Sequence, residues 1–268
     1  MAGGSGPITV ADGKDGAMEL VTRDAFDRAY DEVVLGRTFV EYKDYYIYSR
    51  TRFWKSFDAI QRLALPEGAR ALDIGGGILA TLVARLLGFR ATVCDVHAKA
   101  EPDIRAIGLE FELADVFRDE LPAIDDADLV IFTEVIEHLP VPPHVVMDRL
   151  ARLLRPGGYL FLTTPNGHQF RNLLRMAAGR EILDFYTYPT PNRGLGHQHE
   201  YTMGQMRLQA AESSLDLVSA AYYRDGFKGA TLGTRIGRML ARPADLVPYW
   251  RNGLMIVLRR PAGGTAGP

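Results

Sequence analysis

The feature that most constrains this chain is a short apolar run that stops in three glycines. Ala69–Ile74 is followed by Gly75-Gly76-Gly77. A short run halted by residues that tolerate left-handed backbone marks a buried strand and its turn. Leu79–Leu87 then reads as a helix closed by Gly88, and Arg90–Cys94 as a second strand ending at Asp95. Strand, helix and strand in this order make a right-handed crossover between parallel neighbours. A parallel sheet needs cover on both faces. The chain therefore belongs to the α/β class.

The alternation continues. Leu109–Leu113 is a weak third strand with Asp115 just beyond it, and Ala127–Thr133 is a strongly apolar fourth. Pro143–Leu154 is a helix stopped by Arg155-Pro156-Gly157-Gly158, and Tyr159–Thr163 is a fifth strand ending in Thr164-Pro165-Asn166. Leu215–Tyr222 and Gly253–Leu258 are predicted to pair antiparallel and close the sheet. Ahead of the first strand, residues 22–65 read as two helices. Thr22 or Asp24 caps the first, and Phe53, Phe57 and Ile60 line the second, from Ser49 to Leu65. Thr202–Ala211 is a further helix. The expected fold is a doubly wound, mostly parallel seven-stranded sheet with helices on both faces, in one domain over residues 19–260. Residues 1–18 and 261–268 are expected to be a disordered leader and tail. Residues 167–200 break the pattern and read as a lid inserted over the site.

Composition removes several function classes. A single cysteine, Cys94, excludes a disulfide framework and any cysteine-built metal centre. The net charge of −2 argues against a nucleic-acid partner that the chain would coat. No apolar run is long enough for a transmembrane helix, and the polar leader carries no secretory signal, so the expected compartment is the cytoplasm.

Ligands of open parallel sheets sit beyond the carboxyl ends of the strands. Asp95, Asp115, Glu134 and Asn166 all fall there. Asp95 lies 20 residues after Gly75 and suits the two hydroxyls of a ribose. Gly75, Gly77 and Ala80 also fit the dinucleotide pattern G-x-G-x-x-A. Asp73, two residues ahead of the glycines, suits a cationic ligand better than a pyrophosphate, and Asp115 can accept an adenine amino group.

This ensemble, from the Asp73–Gly77 turn to Arg155-Pro156-Gly157-Gly158, resembles the class I S-adenosylmethionine-dependent methyltransferases over roughly residues 50–220. The resemblance implies a Rossmann-like methyltransferase fold and S-adenosyl-L-methionine as cofactor. It implies that Gly75 and Gly77 carry the methionine and ribose, that Asp95 binds the ribose, and that Asp115 reads adenine between Val96 and Val116. Leu79 departs from the family, which often has a third glycine there. Arg50 or Arg52 is a candidate partner for the methionine carboxylate; the alternative is an aromatic helix, with Tyr42, Tyr45, Tyr46 and Tyr48, packed on the sheet.

The fourth strand runs into Glu134-Val135-Ile136-Glu137-His138. If a helix starts near Glu134, then Glu134, Glu137 and His138 share one face. A second cluster follows at Gly196-His197-Gln198-His199-Glu200-Tyr201-Thr202. The two segments resemble small-RNA 3′-terminal 2′-O-methyltransferases, where E-x-x-E-H and a later histidine bind a divalent metal. That comparison selects His197, with Glu134, Glu137 and His138 as its companions. They also resemble ubiquinone-biosynthesis O-methyltransferases, a comparison that selects His199. The candidates for the reaction are therefore His138, His197 and His199, acting as metal ligands (magnesium or manganese) or as a general base without metal. In many methyltransferases of this class, however, Glu134 lines the cofactor pocket and His138 packs beneath the sheet.

Residues 222–260 carry Arg224, Lys228, Arg235, Arg238, Arg242, Arg251, Arg259 and Arg260 against two acids. This stretch is either a solvated surface or a basic face for phosphate, a lipid head group at a membrane surface, or a nucleotide-activated sugar. The expected activity is methyl transfer to a hydroxyl of a small molecule such as a sugar, a catechol or a secondary metabolite. Rival readings are methylation of a terminal RNA ribose, N-methylation of a small amine, an NAD-dependent oxidoreductase, and a cofactor-binding protein without methyl transfer.

Overall fold

The computed structural model describes residues 19–35, 37, 43–183, 196–224 and 246–263. The expected leader, Tyr42, residues 184–195 of the expected lid, and the basic residues Lys228, Arg235, Arg238 and Arg242 lie outside the described residues.

Seven strands form one sheet: β1 (Arg70–Ile74), β2 (Arg90–Asp95), β3 (Glu110–Leu113), β4 (Ala127–Thr133), β5 (Leu154–Pro165), β6 (Asp216–Tyr223) and β7 (Gly253–Arg259). Their order across the sheet is β3-β2-β1-β4-β5-β7-β6. β7 runs antiparallel to both β5 and β6, and the remaining pairs are parallel. The predicted antiparallel pair is present. The order reverses direction between β1 and β4, which is the switch point where such sheets hold ligands.

Side-chain alternation divides the core into two layers. Ala71, Leu129, Ile131 and Phe161 face one side, beneath α1 (Arg23–Val33), α2 (Lys43–Gln61) and α3 (Ile78–Leu87). Leu72, Val130, Phe132 and Leu160 face the other, beneath α5 (Pro143–Ala151) and α7 (Met203–Glu212). Between α3 and α5 lies α4 (Glu101–Ala106), and between α5 and α7 lies α6 (Phe170–Ala177). Thr22 caps α1 and Thr202 caps α7 in a full capping box, because their hydroxyls satisfy backbone N–H groups that a helix start leaves open.

Two expectations need correction. Arg155-Pro156-Gly157-Gly158 does not end a helix; it lies inside β5, whose pairing with β4 shifts register between Ala127 and Leu129. Gly157 has φ +79°, and a Cβ on Gly158 would stand 2.8 Å from the Ala127 carbonyl oxygen, so only glycines let the two strands close here. The helix expected from Glu134 is a single 3-10 turn, Ile136–His138. Glu134 itself has φ +57° and cannot begin it. In the basic stretch, which the sequence leaves open between a solvated surface and a binding face, three of the described arginines bond to backbone carbonyls. Arg251 donates to the Tyr222 carbonyl, Arg259 to Gly157, and Arg260 to Ala151 and Leu154.

Candidate active site

The turn after β1 is shaped by what surrounds each glycine. Gly75 (φ +92°) and Gly77 (φ +90°) hold left-handed backbone. A Cβ on Gly75 would lie 2.5 Å from Val135 Cγ2, and one on Gly77 would lie 2.7 Å from Ile104 Cδ1. A Cβ on Gly76 would meet nothing within 4 Å. The turn is thus packed on two sides and open on the third, beside the N-terminus of α3.

Asp73 lies beneath this turn and not on its open side. It is 2% exposed, and its Oδ2 accepts hydrogen bonds from the backbone N–H of Gly77 (3.2 Å) and Ala80 (3.0 Å). Burial pushes its pKa up to about 6, against the opposing effect of those N–H donors. Asp95 ends β2, is also buried, and accepts from the His97 N–H through Oδ1 at 2.9 Å. Burial raises its pKa too. Val96 beside it is 53% exposed and offers an apolar wall, whereas Val116 is 4% exposed and belongs to the core. Asp115 lies past the end of β3 in a tight loop. Its backbone bridges to Glu120, and its Oδ1 accepts from the Phe117 and Arg118 N–H groups at 3.0 and 3.3 Å.

At the end of β4 the structure brings Glu134 onto Arg52. Arg52 Nη1 lies 3.1 Å from Glu134 Oε2, and Oε1 accepts from Thr163 Oγ1 (3.0 Å) and Tyr223 OH (3.1 Å). Arg52 is 7% exposed, donates to Tyr45 OH, and lies over the Tyr45 and Phe53 rings. The left-handed backbone at Glu134 is what turns its carboxylate to this group of partners.

Glu137, His138 and His197 form a separate cluster whose ligand atoms all lie within 4.8 Å of one another. Glu137 is 1% exposed. Its Oε2 accepts from Thr164 Oγ1 at 3.0 Å, while Oε1 is buried with no hydrogen-bond partner and lies 4.0 Å from His138 Nε2. Burial, and then the charge of Glu134, hold this carboxyl well above the usual range. The His138 and His197 rings meet edge to face at 4.8 Å between centroids. The Glu137 carbonyl fixes the later loop, accepting from the N–H of Gln198 (2.7 Å) and His199 (3.2 Å). This clamp presents His197 to His138. The His199 ring packs on Tyr201 at 4.5 Å instead, outside the cluster, and so does Glu134 stand outside it.

Residues to which the sequence assigned no chemical role complete the site. Glu200 lies 3.7 Å from His197 Nδ1, takes hydrogen bonds from Gln169 and Asn172, and lies 3.6 Å from Arg171. Against the effect of burial, His197, Asn172 and Arg171 hold its pKa low. Thr163, Thr164 and Tyr223 are the other anchors. The clue to Thr163 and Thr164 was their place at the carboxyl end of β5. Asn166, at the same end, holds the chain: it donates to the Tyr249 and Arg251 carbonyls and accepts from the His168 N–H.

A family described as a methyltransferase domain matches residues 46–220, and the chain belongs to that family. A ubiquinone biosynthesis O-methyltransferase of Xanthomonas oryzae pv. oryzae is 38% identical over 109 residues. These are 37% of this chain and 44% of that protein, so the chain spans less than half of the relative's length. Among solved structures, the methyltransferase in a complex with the Haloferax volcanii Trm112 activator aligns with a TM-score of 0.60 at 17% identity, covering 91% of this chain and 99% of that one. The [4+2]-cyclase SpnF aligns at 0.53 and 18% identity, covering 79% and 81%. These likenesses establish the seven-stranded methyltransferase fold. One of the neighbours is named for a cyclisation, so the fold alone does not decide the reaction.

Proposed function

We propose that this protein transfers the methyl group of S-adenosylmethionine to a hydroxyl of a small molecule, and that His197 takes the hydroxyl proton. The observation that carries this reading is the Glu137–His138–His197 cluster at the carboxyl end of β4, the neighbour of the strand that ends in the glycine turn. The O-methyltransferase name of the Xanthomonas relative supports a hydroxyl acceptor.

The roles divide by position. The open side of Gly76 receives the cofactor, Asp95 takes its ribose hydroxyls, Asp115 takes the adenine amino group, and Arg52 and Glu134 face its amino-acid end. When bound, S-adenosylmethionine supplies an electrophilic methyl on a sulfonium. His197 would take the proton of the acceptor hydroxyl as its oxygen accepts the methyl, with S-adenosylhomocysteine as the other product. Glu200 beside Nδ1 holds the ring with its other nitrogen toward the cluster. The orphaned Glu137 Oε1 and two imidazoles also fit a divalent cation, and two nitrogen donors favour manganese over magnesium. When bound there, the cation would lower the pKa of an acceptor hydroxyl.

The small-molecule acceptor is favoured over an RNA end because Arg251, Arg259 and Arg260 of the basic stretch are engaged on backbone carbonyls. Residues 19–260 act as one unit in this reading. Among the described residues no helix is long and apolar enough to cross a membrane. The test is formation of S-adenosylhomocysteine with a panel of catechols, sugars and phenols, with and without manganese. His197→Ala is expected to lose at least about 100-fold in rate, and His199→Ala to keep most of it. Equal activity of the two variants would overturn His197 as the base.

A further inference from the structure

Arg149 reaches from α5 to the loop that carries Asp115. Its Nη1 donates to two successive carbonyls, Val116 at 2.8 Å and Phe117 at 2.5 Å. The guanidinium also lies 3.6 Å from Asp119, which Arg152 holds as well. Asp119 has φ +64°, a backbone state that closes the loop sharply. The loop is bound internally by the paired backbones of Asp115 and Glu120 and by the Asp115 carboxylate on the Phe117 and Arg118 N–H groups. These internal bonds define its shape. The loop is tied to the rest of the molecule by the buried Val116 side chain and, from α5, by Arg149 on the two carbonyls. One cation on two adjacent carbonyls holds a peptide plane and its neighbour together.

We infer that Arg149 is a positioning residue for the base end of the cofactor site, so that selectivity for adenine is set from α5. This rests on the proposed role of Asp115 as the acceptor of the adenine amino group. A free loop would still bind the ribose through Asp95 but would lose the aim of one carboxylate oxygen. The loss should therefore fall on ligands that carry the amino group and spare those that lack it.

The experiment is titration of the full chain with S-adenosylhomocysteine and with S-inosylhomocysteine, in which a carbonyl replaces the adenine amino group. The unaltered chain is expected to prefer the adenosyl ligand. Arg149→Met should weaken that ligand about tenfold, the order of one charged hydrogen bond, and leave the inosyl ligand nearly unchanged. Arg149→Lys, which can still reach one carbonyl, should restore part of the preference. Parallel weakening of both ligands, or of neither, would overturn the proposal. Should Arg149→Met fail to fold, Arg149→Gln decides the matter. Its uncharged amide gives up the charged bonds to the Val116 and Phe117 carbonyls; an unchanged ratio there would overturn the inference. Asp115→Asn separates the two readings. If its ratio matches that of the unaltered chain, the adenine role of Asp115 fails; if its ratio collapses while that of Arg149→Met does not, Arg149 alone is wrong.

Discussion

Gly76 and Gly77 are neighbours in one turn, yet an added methyl group meets different surroundings at each. At Gly77 it meets Ile104 and Val93 and must be carried on left-handed backbone. At Gly76 it meets open space. Gly77→Ala should therefore destabilise the chain by about 1–3 kcal/mol in denaturant titration. Gly76→Ala should leave the unfolding midpoint almost unchanged and weaken S-adenosylhomocysteine instead, since its methyl occupies the approach to the backbone. Equal effects of both variants on stability would contradict this division. The glycine run, Asp95 and the strand ends around them were legible in the sequence because turn chemistry is local. Which of His197 and His199 meets Glu137 and His138 was not, because it depends on two backbone bonds to the Glu137 carbonyl, far away in the chain.

Helix α2 and the end of β4 are joined by the Arg52–Glu134 pair, with both side chains largely out of solvent. Breaking one half of such a pair strands the other charge. Arg52→Met is expected to cost about 3 kcal/mol, and Glu134→Gln in the same chain should recover part of that loss. A double-mutant cycle checks it; strictly additive losses would show that the two groups are independent. This junction also explains a misread element. A helix from Glu134 satisfies the local spacing of Glu134, Glu137 and His138. Arg52, Thr163 and Tyr223 override it by fixing the carboxylate from three other elements. The extension of β5 through Arg155-Pro156-Gly157-Gly158 has a similar origin. Pro and Gly read as a stop along the chain, but pairing with β4 and β7 decides the outcome.

The placement of buried acids gives the molecule a characteristic dependence on pH. Asp73 titrates near 6 in the folded chain, above its ordinary 3.8. The folded state thus binds the proton more tightly than the unfolded one. The resulting stabilisation is complete below about pH 4 and is lost as pH rises through about 6. Asp95 and Glu137 shift in the same direction, whereas Glu200 and Asp128 shift the opposite way and contribute stability that is lost as pH falls. Asp73→Asn, whose amide oxygen can keep both N–H partners, should flatten the slope between pH 4 and 6 by at most about 3 kcal/mol. Identical slopes in denaturant titrations of the two proteins would show that Asp73 does not titrate in this window. The turn above Asp73 and the Asp95 carboxylate form the proposed cofactor site, and calorimetric titration of the full chain with S-adenosylhomocysteine tests it most directly. Micromolar binding that disappears in Asp95→Ala is the predicted result. A chain that takes up no S-adenosylhomocysteine at all would contradict the proposed methyl transfer.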